Sequence, residues 1–166
     1  MVKILSMTPD ILDQVASLYN EIWNTDDASI KERLLKHSTY KGYKGIILLS
    51  DEKIAGFAYG YTSLPGQFYH EKLAKAFNPE EYEQWLTDCF EFVELAVHPD
   101  NRKQGFGSIL VHNLLQDVEN KTAILTTQTD NSSARSLYGR LNWISLKEPF
   151  FPGDENNPYI IMGKEL

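Results

Sequence analysis

Hydrophobic positions along the chain switch repeatedly between a period of two and a period of about 3.6 residues, which predicts both strands and helices. The first β-rich run is Val2 to Met7, and Thr8 is suited to cap a following helix with Pro9 at its first position. Apolar side chains then recur at helical spacing and predict one apolar helix face, formed by Ile11, Leu12, Val15, Leu18, Tyr19, Ile22 and Trp23. A second, more polar helix is predicted over Ser29 to Lys36.

An antiparallel hairpin is predicted next, because two β-rich runs, Gly45 to Leu49 and Ile54 to Tyr61, flank the short polar segment Ser50 to Lys53. The segment Phe68 to Asp88 is typical of a helix, with Asn78 as the candidate cap. Its aromatic and acidic side chains suit a cationic amine, and equally suit an amphipathic helix that covers the core.

The second half of the chain alternates strands with helices. Strands are predicted over Phe90 to Val97, Ala123 to Gln128, Trp143 to Lys147 and Tyr159 to Lys164. Helices are predicted from about Gly105 to Glu119 and over Ser132 to Leu141, and a loop over Pro149 to Pro158. In the first of these helices the inward-facing residues are expected to be Phe106, Ile109, Leu110, Leu114 and Val118. The alternation indicates an α/β or α+β fold, and 166 residues with 42% hydrophobic content suit a single domain over 1–166.

The composition and net charge limit which binding partners and which cellular compartment we expect. The net charge of -7 argues against nucleic acid, and the densest basic spot, Arg102 with Lys103, is small. No apolar run approaches the roughly 18 residues of a membrane span, and no signal-peptide core develops at the start, so we expect a cytoplasmic protein without a membrane partner. The single cysteine, Cys89, excludes an intramolecular disulfide and a cysteine-based zinc cluster, and a small buried apolar role is expected for it.

A strand that leads through a glycine-containing turn into a helix carries the first chemical signal. The segment runs from Glu94 to Gly107. Unpaired backbone N–H groups and the helix dipole make such a junction an anion site, although a tight structural turn explains the two glycines as well. A dinucleotide-binding turn would need a third glycine where the chain has Leu110, and the Gly-Lys-Ser or Gly-Lys-Thr of a Walker loop is absent.

The pattern Arg-x-x-Gly-x-Gly is present instead, filled by Arg102, Gly105 and Gly107. It resembles the acetyl-CoA-binding motif of the GCN5-related N-acetyltransferase (GNAT) family. A second segment of that family is matched by Asn131, Ala134, Leu137 and Tyr138, followed by Asn142 and Trp143. Asn142 stands where the family usually has glycine, and asparagine tolerates the left-handed backbone after a helix. The resemblance implies a mixed, mostly antiparallel central sheet of about six to seven strands flanked by helices.

The resemblance also implies a set of residues that bind acetyl-CoA, with no metal. The pyrophosphate would lie on the backbone of Arg102, Lys103, Gln104, Gly105, Phe106 and Gly107. The pantetheine arm would pair with the backbone of Leu95 and Val97. Asn131 is placed to contact the cofactor arm, or alternatively to cap a helix.

Two residues are candidates for proton transfer. Deprotonating an alkylammonium of pKa about 10.4 at neutral pH requires about 4 kcal/mol, so a base is useful. Glu94 is the candidate because alternation places it on one strand face with Phe90 and Phe92, and apolar neighbours raise the pKa of a carboxyl group. An exposed surface Glu94 is the alternative. Tyr138 would be the general acid for the departing thiolate, and a core tyrosine is the alternative that periodicity alone favours.

The sequence therefore predicts an acetyl-CoA-dependent N-acetyltransferase that works by direct transfer in a ternary complex. The acceptor is expected to be a primary amine of a small molecule, with a peptide or protein amine as the alternative. A non-catalytic acyl-CoA-binding module and another nucleotide-binding α/β enzyme are the competing classes. The first helices, the segment Gln67 to Cys89 and the last loop are expected to frame the acceptor. An exposed late strand could pair across a homodimer.

Overall fold

Seven strands and six helices make up the computed structural model, which describes residues 1–166. The strands are β1 (Val2–Ser6), β2 (Lys44–Ser50), β3 (Lys53–Thr62), β4 (Cys89–Val97), β5 (Thr122–Gln128), β6 (Ile144–Phe150) and β7 (Tyr159–Glu165). The helices are α1 (Leu12–Trp23), α2 (Ile30–Ser38), α3 (Phe68–Ala76), α4 (Pro79–Trp85), α5 (Phe106–Leu115) and α6 (Ser132–Arg140).

One sheet holds all seven strands in the order β1-β2-β3-β4-β5-β7-β6. The pairs β1–β2, β2–β3, β5–β7 and β6–β7 are antiparallel, and β4–β5 is parallel. The predicted mixed, mostly antiparallel sheet with flanking helices is confirmed. No helix is long and apolar enough to cross a membrane.

The chain forms two compact units that alternate along the sequence. The first unit consists of Met1–Tyr61 and Val93–Asp117, and the second consists of Thr62–Phe92 and Val118–Leu166. The change from one unit to the other falls inside β4, whose first four residues belong to the second unit and whose last five belong to the first.

The first unit contains the predicted hairpin. Strand β2 pairs with β3 from Lys44 opposite Gly60 to Ser50 opposite Lys53. Its turn residues Asp51 and Glu52 both have positive φ, 49° and 66°, which is the backbone that a tight two-residue hairpin requires.

Helices α1 and α2 contribute the apolar core of the first unit together with β2 and β3. The buried side chains of this core are Met7, Leu12, Val15, Leu18, Ile30, Leu34, Ile47, Phe57, Tyr59, Tyr61 and Ala96. The predicted apolar face of α1 is confirmed except at Trp23, which is 47% exposed at the end of the helix. Thr8 differs from the expectation: its hydroxyl donates to the Asp10 carboxylate, and a 3₁₀ turn, Pro9–Ile11, precedes α1.

Helix α5 is shorter than predicted, because it ends at Leu115 and not near Glu119. The ammonium of Lys44, on β2, donates to the carbonyls of Asn113 (2.9 Å) and Gln116 (2.5 Å). A cation at the last carbonyls stabilises a helix end there. Val118 therefore lies beyond α5, and its predicted place on the inward helix face is wrong.

The second unit contains the segment 68–88, which forms two helices where one helical segment was predicted. Helix α3 ends before Phe77, whose backbone is extended, and α4 starts after Asn78. Asn78 and Glu81 form a reciprocal capping box: each side chain accepts the backbone N–H of the other, at 2.8 and 2.9 Å. The predicted cap at Asn78 is confirmed.

Strand β6 begins one residue later than predicted and continues to Phe150. Trp143 is outside the strand because its N–H donates to the Tyr138 carbonyl (3.0 Å) and so completes the end of α6. Asn142, which precedes Trp143 in the chain, has a φ of 70°, and this is the left-handed backbone expected of it.

Candidate active site

The end of β4, the turn after it and the start of α5 form one continuous segment of the first unit. The N–H of His98 donates to the Ala55 carbonyl of β3 (2.7 Å), which holds the start of the turn against the sheet. The chain then passes through a 3₁₀ turn, Pro99–Asn101. Lys103 and Gly105 both have left-handed backbones, with φ of 61° and 80°. Such residues within a turn direct neighbouring N–H groups to one side, which suits an anion.

The start of α5 has the donors that a phosphate requires. Its first hydrogen bond runs from the Ile109 N–H to the Gly105 carbonyl (3.1 Å). The N–H groups of Phe106 and Gly107 precede that bond, so they have no acceptor within the helix. A Cβ built on Gly105 would meet no heavy atom within 4 Å, so open space lies beside the turn. The donor set and the space fit the pyrophosphate of acetyl-CoA.

Side chains on either side of the turn fix its shape. The Arg102 side chain is exposed, and its Nε donates to the Val97 carbonyl (3.4 Å). The His98 ring contacts Glu21 Oε1 of α1 at 2.8 Å and accepts the N–H of Asp100 (3.1 Å). His98 therefore has a structural role in this turn.

The backbone of Leu95 and Val97 was predicted to pair with the pantetheine arm. The β4–β5 ladder covers Cys89 to Glu91 and extends no further along β4. Backbone groups beyond that ladder suit the addition of an extended ligand. The pairing itself stays a prediction.

Glu94 lies in the same segment, one residue before Leu95, and its side chain is only 17% exposed. Burial is the main influence on the carboxyl group, and the positive charge of Arg33 opposes it. The net effect raises the pKa of Glu94 from 4.5 to about 7. A carboxyl group with this pKa is divided between acid and base near neutral pH, which suits a general base. The predicted raised pKa is confirmed, and the alternative of a fully exposed Glu94 is wrong.

Aromatic side chains lie beside Arg33 and further along α2. Arg33 Nη2 lies 3.7 Å from Glu94 Oε2, and the guanidinium carbon lies 5.3 Å from the centroid of the Tyr19 ring. One turn further along α2, His37 Nδ1 is 2.8 Å from the Tyr59 hydroxyl. The ring of His37 also packs against three tyrosines, with centroids 5.1 to 5.7 Å away: Tyr40, Tyr59 and Tyr61.

Sequence reasoning missed Arg33 and His37. Both lie at helical spacing from the buried Ile30, at positions i+3 and i+7, and so share the inward stripe of α2. A cationic and a titratable side chain on a buried stripe are a signal that the sequence contains. The polar character of the rest of α2 hid it.

Tyr138 and Asn131 belong to the second unit. Tyr138 is 6% exposed, and its ring packs edge-on against Phe92 and Trp143, with centroids 6.1 and 5.7 Å away. These contacts are those of a core tyrosine, and the general-acid role stays a prediction. The Asn131 Oδ1 accepts the N–H of Ala134 (3.1 Å), so Asn131 does cap α6. Its contact with the cofactor arm stays a prediction too.

The aromatic residues of segment 68–88 pack mostly within the second unit. The Tyr69 hydroxyl contacts Thr126 Oγ1 (2.7 Å), and the Tyr82 hydroxyl contacts Nε2 of the buried His70 (2.9 Å). Trp85 is buried, whereas Phe68 is 74% exposed beside Lys72. These contacts favour the alternative of an amphipathic cover over that of an aromatic acceptor pocket.

A buried polar network in this unit was not predicted. Ser63 Oγ lies 2.8 Å from Nδ1 of His70, and Ser63 also donates to Glu91 Oε1 at 3.5 Å. Cys89, predicted to be a small buried residue, is fully buried, and burial raises the pKa of its thiol. A thiol in that state is a poor nucleophile.

Comparisons with known proteins place the chain in a family. The sequence profile of the acetyltransferase (GNAT) family matches residues 9–143. The chain belongs to the GNAT family. The predicted family is thereby confirmed, and an unrelated nucleotide-binding enzyme is no longer an alternative.

Solved structures with the GNAT fold cover almost the whole chain. The ribosomal-protein-S18-alanine N-acetyltransferase of Escherichia coli is 18% identical with a TM-score of 0.73, over 99% of this chain and 94% of that one. YncA of Salmonella typhimurium, solved with its cofactor acetyl-CoA, is 15% identical with a TM-score of 0.72, over 99% and 93%. At these identities the two structures show the fold.

A curated GNAT relative extends beyond the matched region. This GCN5-like protein acetyltransferase of Mycobacterium tuberculosis is 25% identical over 126 residues, which are 71% of this chain and 61% of that protein. The chain thus spans about 61% of the relative's length. GNAT enzymes use acetyl-CoA as cosubstrate and need no metal, so the predicted cosubstrate is confirmed at the level of the family.

Proposed function

We propose that this GNAT chain is an N-acetyltransferase that moves the acetyl group of acetyl-CoA to a primary amine of a small molecule, by direct attack in a ternary complex. The observation that carries the proposal is the Glu94 carboxyl group. Its pKa lies near 7, and it is on the strand that leads into the anion-binding turn. A base and a phosphate site on one continuous segment are what this transfer requires.

Residues of the turn hold the cosubstrate in the proposed reaction. The N–H groups between Arg102 and Gly107 bind the pyrophosphate, and the backbone of Leu95 and Val97 pairs with the pantetheine arm. The thioester supplies an acetyl group that an amine can attack.

Glu94 and Tyr138 move the protons. Glu94 takes one proton from the acceptor ammonium, which leaves the neutral amine that the reaction requires. The amine nitrogen forms a bond with the carbonyl carbon, and the bond between that carbon and sulfur breaks. Tyr138 donates a proton to the departing thiolate and regains one from solvent as the second amine proton is lost. The products are an N-acetyl amide and the free thiol of CoA, so protons and charge balance.

A protein amine is the second candidate acceptor, because the names of two compared proteins specify protein substrates. The small-molecule acceptor is favoured by the enclosure of Glu94, whose side chain is only 17% exposed. An enclosed base suits a compact amine better than a folded surface.

The test is acetyl transfer from acetyl-CoA to a panel of small primary amines and short peptides, followed by thiol release and product mass. We expect transfer to small amines. Glu94→Gln and Tyr138→Phe should each lower kcat by about 10²- to 10⁴-fold, the usual contribution of a general base or acid. Tyr69→Phe is the matched control, since that hydroxyl contacts Thr126 within the second unit.

Three results contradict the proposal in different ways. Exclusive transfer to peptides would replace the small-molecule acceptor with a protein amine. Tight binding of acetyl-CoA without transfer to any amine would indicate the non-catalytic binding module. Unchanged kcat in Glu94→Gln would remove Glu94 as the base.

A further inference from the structure

Arg33 is the charged side chain that faces the candidate base. Its Nη2 lies 3.7 Å from Glu94 Oε2, which is an ionic contact and too long for a hydrogen bond. The two side chains are 39% and 17% exposed, so solvent and salt screen their attraction only in part. Because Arg33 is on α2 and Glu94 is on β4, the contact joins a helix to the strand that leads into the glycine turn.

The length of this contact leaves the carboxylate available to an acceptor. An arginine in a close bidentate pair donates to both carboxylate oxygens, which occupies them and makes the carboxylate a weak base. At 3.7 Å the guanidinium of Arg33 still attracts the charge of Glu94 but does not donate a hydrogen bond to it. The Glu94 oxygens therefore keep their capacity to accept an N–H of the acceptor ammonium.

Neighbouring residues keep Arg33 in place and leave it as the cation beside Glu94. The guanidinium carbon lies 5.3 Å from the centroid of the Tyr19 ring on α1, which supports the cation from one side. The other titratable groups that act on Arg33 or respond to it are Tyr59 of β3 and His37, one turn further along α2. His37 is uncharged near neutral pH, because burial lowers its pKa to about 4.

The hydrogen bonding of Arg33 argues against a purely structural role. Its Nε and Nη2 are enclosed by other atoms and have no hydrogen-bond partner. An arginine that served only to join α2 to its neighbours would be expected to use its donors for that purpose. What Arg33 supplies at Glu94 is therefore positive charge and not hydrogen bonds.

That charge favours one protonation state of the candidate base. A cation attracts the carboxylate and has little effect on the neutral carboxylic acid. Burial acts in the opposite direction, and on its own it would leave more of Glu94 protonated near neutral pH. A protonated Glu94 cannot take a proton from the acceptor.

We propose that Arg33 is a positioning residue for acetyl transfer, which acts through Glu94 by holding its carboxylate ionised and in place to receive a proton from the acceptor ammonium. In this role Arg33 contacts neither acetyl-CoA nor the acceptor. Glu94 then passes the proton to solvent, and the same attraction favours its return to the ionised form. This inference rests on the proposed function and names the residue that keeps its base ready.

The experiment measures kcat/KM for a small primary amine from pH 5.5 to 9. The acceptor titrates identically in every assay, so the ratio of variant to natural protein isolates Glu94. In Arg33→Met the acidic limb should rise by about 1 pH unit, the lower end of the effect of an opposite charge at this range. The variant should thus be about fivefold less active at pH 7 and within about twofold at pH 9.

Three further variants separate this role from a structural one. Arg33→Lys keeps the charge and should restore most of the activity at pH 7. Lys31→Met removes a cation from the same helix, where Lys31 pairs with Asp13 at 2.9 Å, and should leave the profile unchanged. In a Glu94→Gln background, Arg33→Met should change kcat/KM by less than about twofold, because the residue through which Arg33 acts is absent.

A second readout does not depend on turnover. The carboxyl ¹³C signal of Glu94, assigned by its absence from Glu94→Gln, reports the ionisation of this group directly. Its titration midpoint should be about 1 pH unit higher in Arg33→Met and unchanged in Lys31→Met. Circular dichroism at each pH shows whether the variants are folded.

An unchanged pH profile in Arg33→Met, or a loss of equal size at pH 7 and pH 9, would overturn the role of Arg33 and leave Glu94 as the base. A further large loss in the Glu94→Gln background would overturn it too. Transfer to no amine would overturn the proposed function, and the ¹³C titration would then decide the inference. A midpoint that Arg33→Met raises would support it, and an unaffected midpoint would overturn it.

Discussion

Burial of the Glu94 carboxyl group has opposite consequences for chemistry and for stability. The pKa of about 7 supplies a base near neutral pH. The same shift means that the folded protein disfavours the ionised carboxylate. The folded pKa is above the unfolded value of 4.5. The contribution of Glu94 to the free energy of unfolding is therefore fully present below pH 4.5 and is lost as the pH rises through 7.

Glu94→Gln should therefore be more stable than the natural protein at alkaline pH. The raised pKa corresponds to about 3 kcal/mol of unfolding free energy at pH 8, and the difference should vanish near pH 4.5. Urea unfolding at pH 4.5, 6, 7 and 8 measures it. A difference that stays constant across these pH values would show that Glu94 does not titrate near 7.

The contribution of His37 to stability depends on pH in the opposite direction. Burial, together with the charges of Arg33 and Lys36, lowers the pKa of His37 from 6.5 to about 4. A lowered pKa means that this residue contributes stability above pH 6.5, which is lost as the pH falls through 4. His37→Asn should be less sensitive to acid over that interval than the natural protein, as judged by unfolding free energy at pH 7, 5.5 and 4.5. Parallel pH curves for the two proteins would refute this.

Sequence reasoning found Glu94 and missed Arg33 for a physical reason. Alternation along a single strand predicts that Glu94 shares a face with Phe90 and Phe92, and alternation is a local property of the sequence. Arg33 reaches Glu94 from α2, about 60 residues earlier in the chain, and only the tertiary fold brings the two within 3.7 Å.

At the scale of elements, β3 and β4 approach each other closely at Gly56. A Cβ at this position would lie 2.7 Å from the Ala96 carbonyl oxygen and 3.1 Å from Leu110 Cδ1. The first of these contacts is with backbone, so the strand that carries Glu94 would have to move.

Gly56→Ala should accordingly destabilise the protein by about 1–3 kcal/mol, the usual effect of overpacking. It should also weaken acetyl-CoA binding, because β4 leads directly into the turn. Gly139→Ala is the control: this glycine is within α6, nothing lies within 4 Å of its Cβ position, and alanine favours a helix by up to about 1 kcal/mol. Equal midpoints of urea unfolding in the two variants would contradict the close approach.

Element boundaries were predictable where their causes are local. Asn78 and Glu81 of the capping box are three positions apart, and Asn142 lies two residues after the end of α6, so both features can be found in the sequence. The end of α5 depends on Lys44, almost 70 residues away, and no local pattern indicates it. The break between the two helices of segment 68–88 also has a local signal, because the cap at Asn78 marks the start of a new helix.

For the molecule as a whole, the glycine turn predicts a ligand-dependent stability. A ligand that binds only the folded protein adds about 2.7 kcal/mol at a hundred times its Kd. Acetyl-CoA and CoA should therefore raise the melting temperature, ATP at the same concentration should not, and Gly107→Glu should abolish the rise. Stabilisation by ATP alone, or an undiminished shift in Gly107→Glu, would contradict the assignment of the turn.

Family and sheet composition were predictable because they depend on two motifs and on the order of elements. The division into two interleaved units was not, since it depends on how tightly segments distant in the sequence pack.

That interleaving has a consequence for the order in which the protein can be completed during synthesis. A ribosome delivers residues 62–92 before residues 93–117, yet the earlier segment belongs to the second unit and the later one to the first. The hairpin and the two helices of the first unit are synthesised early. The unit itself cannot be completed until the second half of β4 and the whole of α5 have emerged from the ribosome. The turn predicted to bind the pyrophosphate is in that late segment, so we expect a nascent chain to gain affinity for acetyl-CoA only when the first unit is complete.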